Sequence, residues 1–256
     1  MTVELRLFPM DIENKYGTLE TQMYYMPILD DIDRLCKKNG IQYSLSDGTL
    51  IGAIRHKGFI PWDDDIDLSF NRENYNKFLR ILETQLPDEY EVFYDMWIRR
   101  IGRKDNPERC VDLFVFDNVP DGKIANTIKN LLLKTLQGML KREVIYEGFS
   151  NGYKSMLFIT HWIGKLFSRK IKQKWYQNLS QWGNKSKTKF QARYCCSFRY
   201  ISGVRYKQGL TDEYTEVEFE GGKYMSVKEY DQFLKTDFGD YMQLPPEEKR
   251  VPKHRK

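Results

Sequence analysis

From Asp63 to Phe70 the chain reads Asp-Asp-Asp-Ile-Asp-Leu-Ser-Phe: four carboxylates in five positions, then hydrophobic residues at every second place. A period of two belongs to a strand with one apolar face. Side chains two apart share a face, with Cα atoms about 6.5–7 Å apart, so Asp65 and Asp67 converge. Asp63 shares their phase, and Asp64 points the other way. Like charges this close repel, and a divalent cation relieves the repulsion. Hard oxygen ligands suit Mg²⁺ or Mn²⁺, which in turn bind substrate phosphates. A solvated acidic turn leaves the alternating hydrophobics unexplained. A calcium loop of EF-hand type needs a central Gly and a later Glu, which this run lacks.

A third acid, Asp112, lies inside Cys110-Val111-Asp112-Leu113-Phe114-Val115-Phe116. A carboxylate in so apolar a strand is costly unless it is metal-bound, paired or neutralised. A strand laid beside 65–70 brings Asp112 to the acidic pair; the competing reading is a buried salt bridge with Arg99, Arg100 or Arg103. Upstream, Gly48-Thr49 opens a short helix. Small residues there expose backbone N–H groups that, with the helix dipole, cradle phosphate. Arg55, His56 and Lys57 supply positive charge to phosphates, or are ordinary surface cations.

Around these motifs the pattern alternates strand and helix. Residues 18–39 read as a helix with Ile28, Leu29, Ile32, Leu35 and Cys36 on one face, ended by Gly40, with Pro27 kinking it or starting its second half. Ile41 to Leu45 is a strand, 49–55 a short helix, 66–70 a strand, and Asn71 caps a helix that stops before Pro87. Strands follow at 90–101 and 110–117, a helix at 123–147, a strand running into a turn at 216–222 and a helix at 227–234. The class is α/β (α+β): a mixed sheet flanked by helices, with a more helical C-terminal half. The expected organisation is a catalytic core over 1–122, a basic, mostly helical region over 123–215, and a C-terminal segment over 216–256 that completes the core.

At 256 residues and 41% hydrophobic content, the chain can bury a core without disulfides. Cysteines 36, 110, 195 and 196 show neither zinc spacing nor a secreted framework, which favours a reducing compartment. No secretory signal and no apolar run of membrane-spanning length is visible, so the expected location is the cytoplasm. Charge is unevenly spread. From Gly148 to Thr211 there are thirteen Lys and Arg and no Asp or Glu, so against +5 overall the remainder of the chain stands at −8. Phe158, Trp162, Phe167, Trp175, Tyr176 and Trp182 are interleaved with these cations. Basic and aromatic amphipathic segments settle on anionic bilayers, so the expected placement is peripheral, at the inner face of the membrane. An acceptor-glycan groove and a plain solvated face are the alternatives. No nucleic-acid module is recognisable, so nucleic acid is not an expected partner.

Gly-Thr after a strand, Asp-apolar-Asp on the next strand and a lone Asp on a third form the nucleotidyltransferase pattern. The run Asp47-Gly48-Thr49-Leu50-Ile51-Gly52-Ala53-Ile54-Arg55-His56-Lys57-Gly58-Phe59-Ile60-Pro61-Trp62-Asp63-Asp64-Asp65-Ile66-Asp67 resembles the LicD family, which includes the fukutin-related proteins. Val111 to Phe114, Phe219-Glu220-Gly221 and Phe238 to Arg250 extend the likeness, while residues 123–215 carry no matching motif. The resemblance implies transfer of a phosphorylated group, phosphocholine above all, from a CDP-activated donor such as CDP-choline to a hydroxyl of a teichoic acid or lipopolysaccharide precursor, with release of CMP. It implies Asp65, Asp67 and Asp112 as catalytic and Mg²⁺- or Mn²⁺-binding residues. Asp47, Gly48, Thr49, Arg55, His56, Lys57, Glu220 and Arg250 are then substrate-binding. A nucleotidyltransferase releasing pyrophosphate from an NTP and a metal phosphohydrolase are the rival chemistries. The sequence names neither acceptor sugar nor oligomeric state.

Overall fold

The computed structural model describes residues 14–144 and 151–252. Helix α1 (Leu19–Lys38) carries Glu20 in its first turn and Lys37 and Lys38 in its last, where the helix dipole favours each sign. It runs through Pro27 and buries Ile28, Leu29, Ile32, Leu35 and Cys36, the face its spacing predicts. Strand β1 (Ser44–Leu45) leads into α2 (Asp47–His56), which Lys57 ends in the left-handed conformation. Strand β2 (Ile66–Asn71) carries the acidic edge, and the Asn71 side chain caps α3 (Arg72–Gln85) by accepting the Asn74 N–H at 2.8 Å.

The expected single strand at 90–101 is a hairpin, β3 (Tyr90–Asp95) and β4 (Ile98–Arg103). Met96 turns the chain with φ of 51°, and no Gly, Pro or Asn marks the turn in sequence. Strand β5 (Asn106–Asn118) follows, then α4 (Lys123–Leu140), α5 (Asn151–Gly164) and α6 (Arg169–Ser180). Short elements β6 (Phe190–Ala192), α7 (Phe198–Gly203) and β7 (Tyr206–Lys207) come next. The expected strand at 216–222 is likewise a hairpin, β8 (Tyr214–Phe219) and β9 (Gly222–Val227), which pushes the final helix α8 back to Tyr230–Phe238. Its turn holds Glu220 and Gly221 at φ of 47° and 71°. The helix expected over 123–147 ends at Leu140, where Lys141 turns extended (ψ 134°); residues 145–150, the N-terminal thirteen residues and the charged tail beyond 252 lie outside the described residues.

The main sheet has the order β1-β2-β5-β4-β3, with β6 pairing to the end of β5 and β7 to β6. Strands β2 and β5 are parallel, and the other pairs are antiparallel. The chain is therefore α/β with a mixed sheet. One core unites α1, α2, α3, the sheet and α8, with Ile28, Leu50, Leu68, Val111 and Phe233 fully buried. A smaller cluster of Val119, Leu133, Leu140, Tyr176, Tyr194 and Ile201 binds α4 and α6 to the end of β5. All four cysteines are buried free thiols. No helix among the described residues is long and apolar enough to cross a membrane.

Candidate active site

Parallel pairing sets Asp67 of β2 opposite Asp112 of β5, and antiparallel pairing sets Asp112 opposite Arg100 of β4. Residues in register share a face, so Asp67, Asp112 and Arg100 form a row across three strands. Asp65, two residues before Asp67, takes the same face. Together with Asp47, Gly48, Arg55 and Asp63, this row lines a cavity of about 710 Å³. Trp62, Trp97, Phe114, Tyr200, Phe238 and Tyr241 supply aromatic wall. That size and mixture suit a small-molecule ligand.

Asp67 is buried within the row. Burial first, then the charges of Asp65, Asp47, Asp112 and Asp63, push its carboxyl well above the usual range. Its backbone N–H donates to the Thr49 hydroxyl at 2.9 Å, which locks β2 to the start of α2. Asp112 is ion-paired: Arg100 Nε lies 2.6 Å from Asp112 Oδ1 while Arg100 Nη1 lies 2.7 Å from Asp95 Oδ2. The salt bridge weighed against metal binding is therefore present, and it points the Asp112 carboxylate into the cavity row. Among the described residues, no three His, Cys, Asp or Glu side chains stand as a ready ligand set.

Asp47 opens α2 with φ of 46°, a left-handed conformation unusual outside glycine. Its carboxylate is held by the Arg193 guanidinium, with Nη2 to Oδ1 at 3.0 Å, and by the Ser46 hydroxyl at 2.8 Å. Arg193 is almost wholly buried. It also donates to Asp237 at 2.8 Å and Tyr206 at 3.1 Å. A Cβ at Gly48 would overlap the Asp63 carboxylate as it stands and would push that side chain aside.

Of the remaining residues of interest, Thr49, His56, Lys57, Glu220 and Arg250 surround the cavity without lining it. Thr49 is buried with its hydroxyl taken by Asp67. Burial, then Arg55, lowers the His56 pKa, so the imidazole is uncharged at neutral pH. Lys57 turns the chain, and its carbonyl accepts the Glu220 N–H at 2.9 Å. Glu220 accepts the Phe59 N–H at 2.8 Å, clamping the loop after α2. Arg55 lines the cavity but spends its guanidinium on the Tyr241 carbonyl at 2.6 Å, and Arg250 stacks over Trp62 at 5.6 Å. Phe238 to Arg250 thus packs across the mouth.

Sequence reasoning names Arg100 only as a rival partner for Asp112, and it singles out neither Asp95 nor Arg193. Arg193 sits in Phe190-Gln191-Ala192-Arg193-Tyr194-Cys195-Cys196, a charge among apolar neighbours like Asp112. The burial argument made for Asp112 applies to it equally, but counting it with thirteen cations concealed the signal.

The family model described as LicD/FKTN/FKRP, nucleotidyltransferase domain, matches residues 40–130, the stretch holding the acidic row. The chain is 32% identical over 260 residues to the lipopolysaccharide cholinephosphotransferase LicD of Haemophilus influenzae, covering 92% of this chain and 95% of that protein. An uncharacterized protein of Rickettsia typhi is 35% identical over 94 residues, 37% of this chain and 29% of its own. One of Rickettsia prowazekii is 35% identical over 88 residues, 34% of this chain and 31% of its own. Identity at that level along nearly the whole of both proteins places this chain in the LicD family.

Proposed function

We propose that the chain is a transferase moving phosphocholine from CDP-choline to a hydroxyl of a cell-surface glycan precursor, of lipopolysaccharide or teichoic acid type, with release of CMP. The observation that carries this reading is the in-register row of Asp67, Asp112 and Arg100 inside a cavity, in a chain similar end to end to a lipopolysaccharide cholinephosphotransferase. A nucleotide-activated donor favours the cytoplasm as the place of reaction.

A divalent cation fits the donor set. Asp65 and Asp67 offer hard oxygens, and four further carboxylates, those of Asp65, Asp47, Asp112 and Asp63, crowd the buried Asp67. Asp65 and Asp67 would hold Mg²⁺ or Mn²⁺, with Asp112 as the third acid; the ion supplies charge neutralisation to the diphosphate. The protein's own groups do the rest. Arg100 orients the Asp112 carboxylate, which accepts the proton of the attacking sugar hydroxyl. The bare N–H groups at the start of α2, beside Gly48, face phosphate oxygens. The aromatic wall receives the quaternary ammonium through cation–π attraction. Phe238 to Arg250, across the mouth, limits water.

The test is a screen with CDP-choline, CDP-ethanolamine, CDP-ribitol, CDP-glycerol and CTP, with Mg²⁺, Mn²⁺ or EDTA, and with or without a glycan acceptor. The expected result is CMP from CDP-choline only when acceptor and metal are present. Acceptor-independent CMP makes the protein a phosphohydrolase, and pyrophosphate from CTP makes it a nucleotidyltransferase. Either outcome overturns the proposal.

A further inference from the structure

Helices α4, α5 and α6 contain no Asp or Glu. On α4, Ile124, Ile128 and Leu131 recur at helical spacing and are exposed, Ile124 by 78%. On α5 and the turn after it, Phe158, Trp162 and Leu166 do the same, Leu166 by 79%. Phe158 packs on Trp162 with ring centroids 6.0 Å apart, and the Lys165 ammonium sits 3.8 Å over the Trp162 ring. Lys154, half-buried one turn before Phe158, and the exposed Lys165 fall on the same face of this stripe, and Lys123 is exposed at the start of α4. Scattered apolar residues on a surface are ordinary, whereas stripes on two packed helices mark a contact surface.

We infer that the outer faces of α4 and α5, which carry Lys123, Lys154 and Lys165 and no acid, dock on an anionic lipid bilayer. Charge decides the occupant. A second copy would bring the same acid-free cations face to face, whereas an anionic headgroup layer complements them. Trp162 beneath an ammonium is the pairing of amphipathic ring and snorkelling lysine that suits a headgroup region. The 14-residue α5 is too short to cross a bilayer, so the chain lies on it.

The docking face is tied to the cavity. Trp97, on the cavity wall, stacks on Tyr176 of α6 at 6.2 Å, and Gln173 of α6 donates to the Met96 carbonyl at 3.2 Å. Arg142 and Arg169 lie 3.7 and 3.8 Å from Asp95, another wall residue. A bilayer under α4 and α5 therefore bears on the block that forms the 95–97 rim, where an acceptor carried on a lipid would arrive. The docking surface is argued without the catalytic reading, and its test needs no substrate.

The experiment is co-sedimentation of the full chain with vesicles of phosphatidylglycerol and phosphatidylcholine, or of phosphatidylcholine alone, at low and high salt. Trp fluorescence and light scattering are followed in parallel. Wild type is expected to pellet with anionic vesicles at low salt, with a blue-shifted emission. Triple substitution Lys123→Glu, Lys154→Glu and Lys165→Glu is expected to weaken vesicle partition about a hundredfold, at roughly tenfold or less per cation. The pair Trp162→Ser and Leu166→Ser should lower partition about tenfold and abolish the blue shift, with an unchanged circular dichroism spectrum. Wild type remaining in the supernatant with anionic vesicles overturns the inference. So does equal binding by both variants, or a wild-type dimer in scattering that Trp162→Ser and Leu166→Ser dissolve.

Discussion

Buried charge is handled in opposite ways in the two halves of the molecule. In the sheet half, three cations meet acids: Arg193 between Asp47 and Asp237, Arg100 between Asp95 and Asp112, and Arg72 on Asp117 at 2.6 Å. Helices α4, α5 and α6 lack acids, and their buried cations meet backbone carbonyls instead. Lys172 of α6 donates to Met139 O at the end of α4 (2.9 Å) and to Gly164 O at the end of α5 (2.7 Å). Lys129 of α4 donates to Ser180 O and Trp182 O at the end of α6 (2.8 and 2.7 Å) and to Asn118 O (3.1 Å). Helix ends leave carbonyls unbonded and carry partial negative charge, so one ammonium can fasten two helices. An acid-free stretch is therefore not all solvent-facing: Arg193 and Lys172, both counted among its cations, are structural.

The sharpest test of the acidic half is Asp67→Asn. Turnover should fall by about 10³-fold or more, because the lost charge belongs to the reacting site. Urea unfolding without metal should show no loss of stability, since Asn needs no buried charge. Retained turnover at saturating Mg²⁺ would dissolve the contrast between a catalytic and a structural half.

Arg193→Met comes next. It leaves Asp47 and Asp237 buried without their counterion and should cost about 3–5 kcal/mol in urea denaturation. A loss under about 1 kcal/mol would mean that the two acids are not held by this guanidinium.

In the helical half, Lys172→Met should cost about 1–3 kcal/mol by orphaning two carbonyls, while the exposed Lys170→Met stays within about 0.5 kcal/mol. Equal melting temperatures for the two variants would refute the carbonyl-anchor role of Lys172.

The smallest expected effect is a pH dependence. Burial lowers the Lys129 pKa from 10.5 to about 7. Between those values the native state binds fewer protons than the unfolded chain, so this residue's contribution to stability grows as pH rises. Lys129→Met removes that gain, and its stability deficit should widen from pH 7 to 9 in parallel urea titrations. A deficit constant with pH would leave only the carbonyl bonds.

The acidic strand, α1, α3 and β5 were legible because period and caps are local. The two hairpins were not: Met96 and Glu220 turn in left-handed conformations that their side chains do not advertise. Asp65, Asp67 and Asp112 could be grouped from sequence by assuming that their strands pair. Arg100 could be named only as a competitor for Asp112, because its role depends on a cross-strand register. Thr49 and Glu220 stand within recognisable motifs, yet the hydroxyl and the carboxylate both hold backbone. A motif records which residues a site needs and leaves open whether they touch ligand or scaffold.

The segment from Phe238 to Val251 supplies much of the cavity mouth, and Val227 N–H reaches back to the Ser44 hydroxyl at 3.0 Å. These residues leave the ribosome after everything else that lines the cavity. While they are being made, the sheet and α2 must wait with their final wall missing and apolar surface uncovered, the state in which chains are most open to aggregation and chaperone capture. Translation stopped before Phe238 would thus release an unfinished vessel for quality control to clear, and not an enzyme of reduced rate.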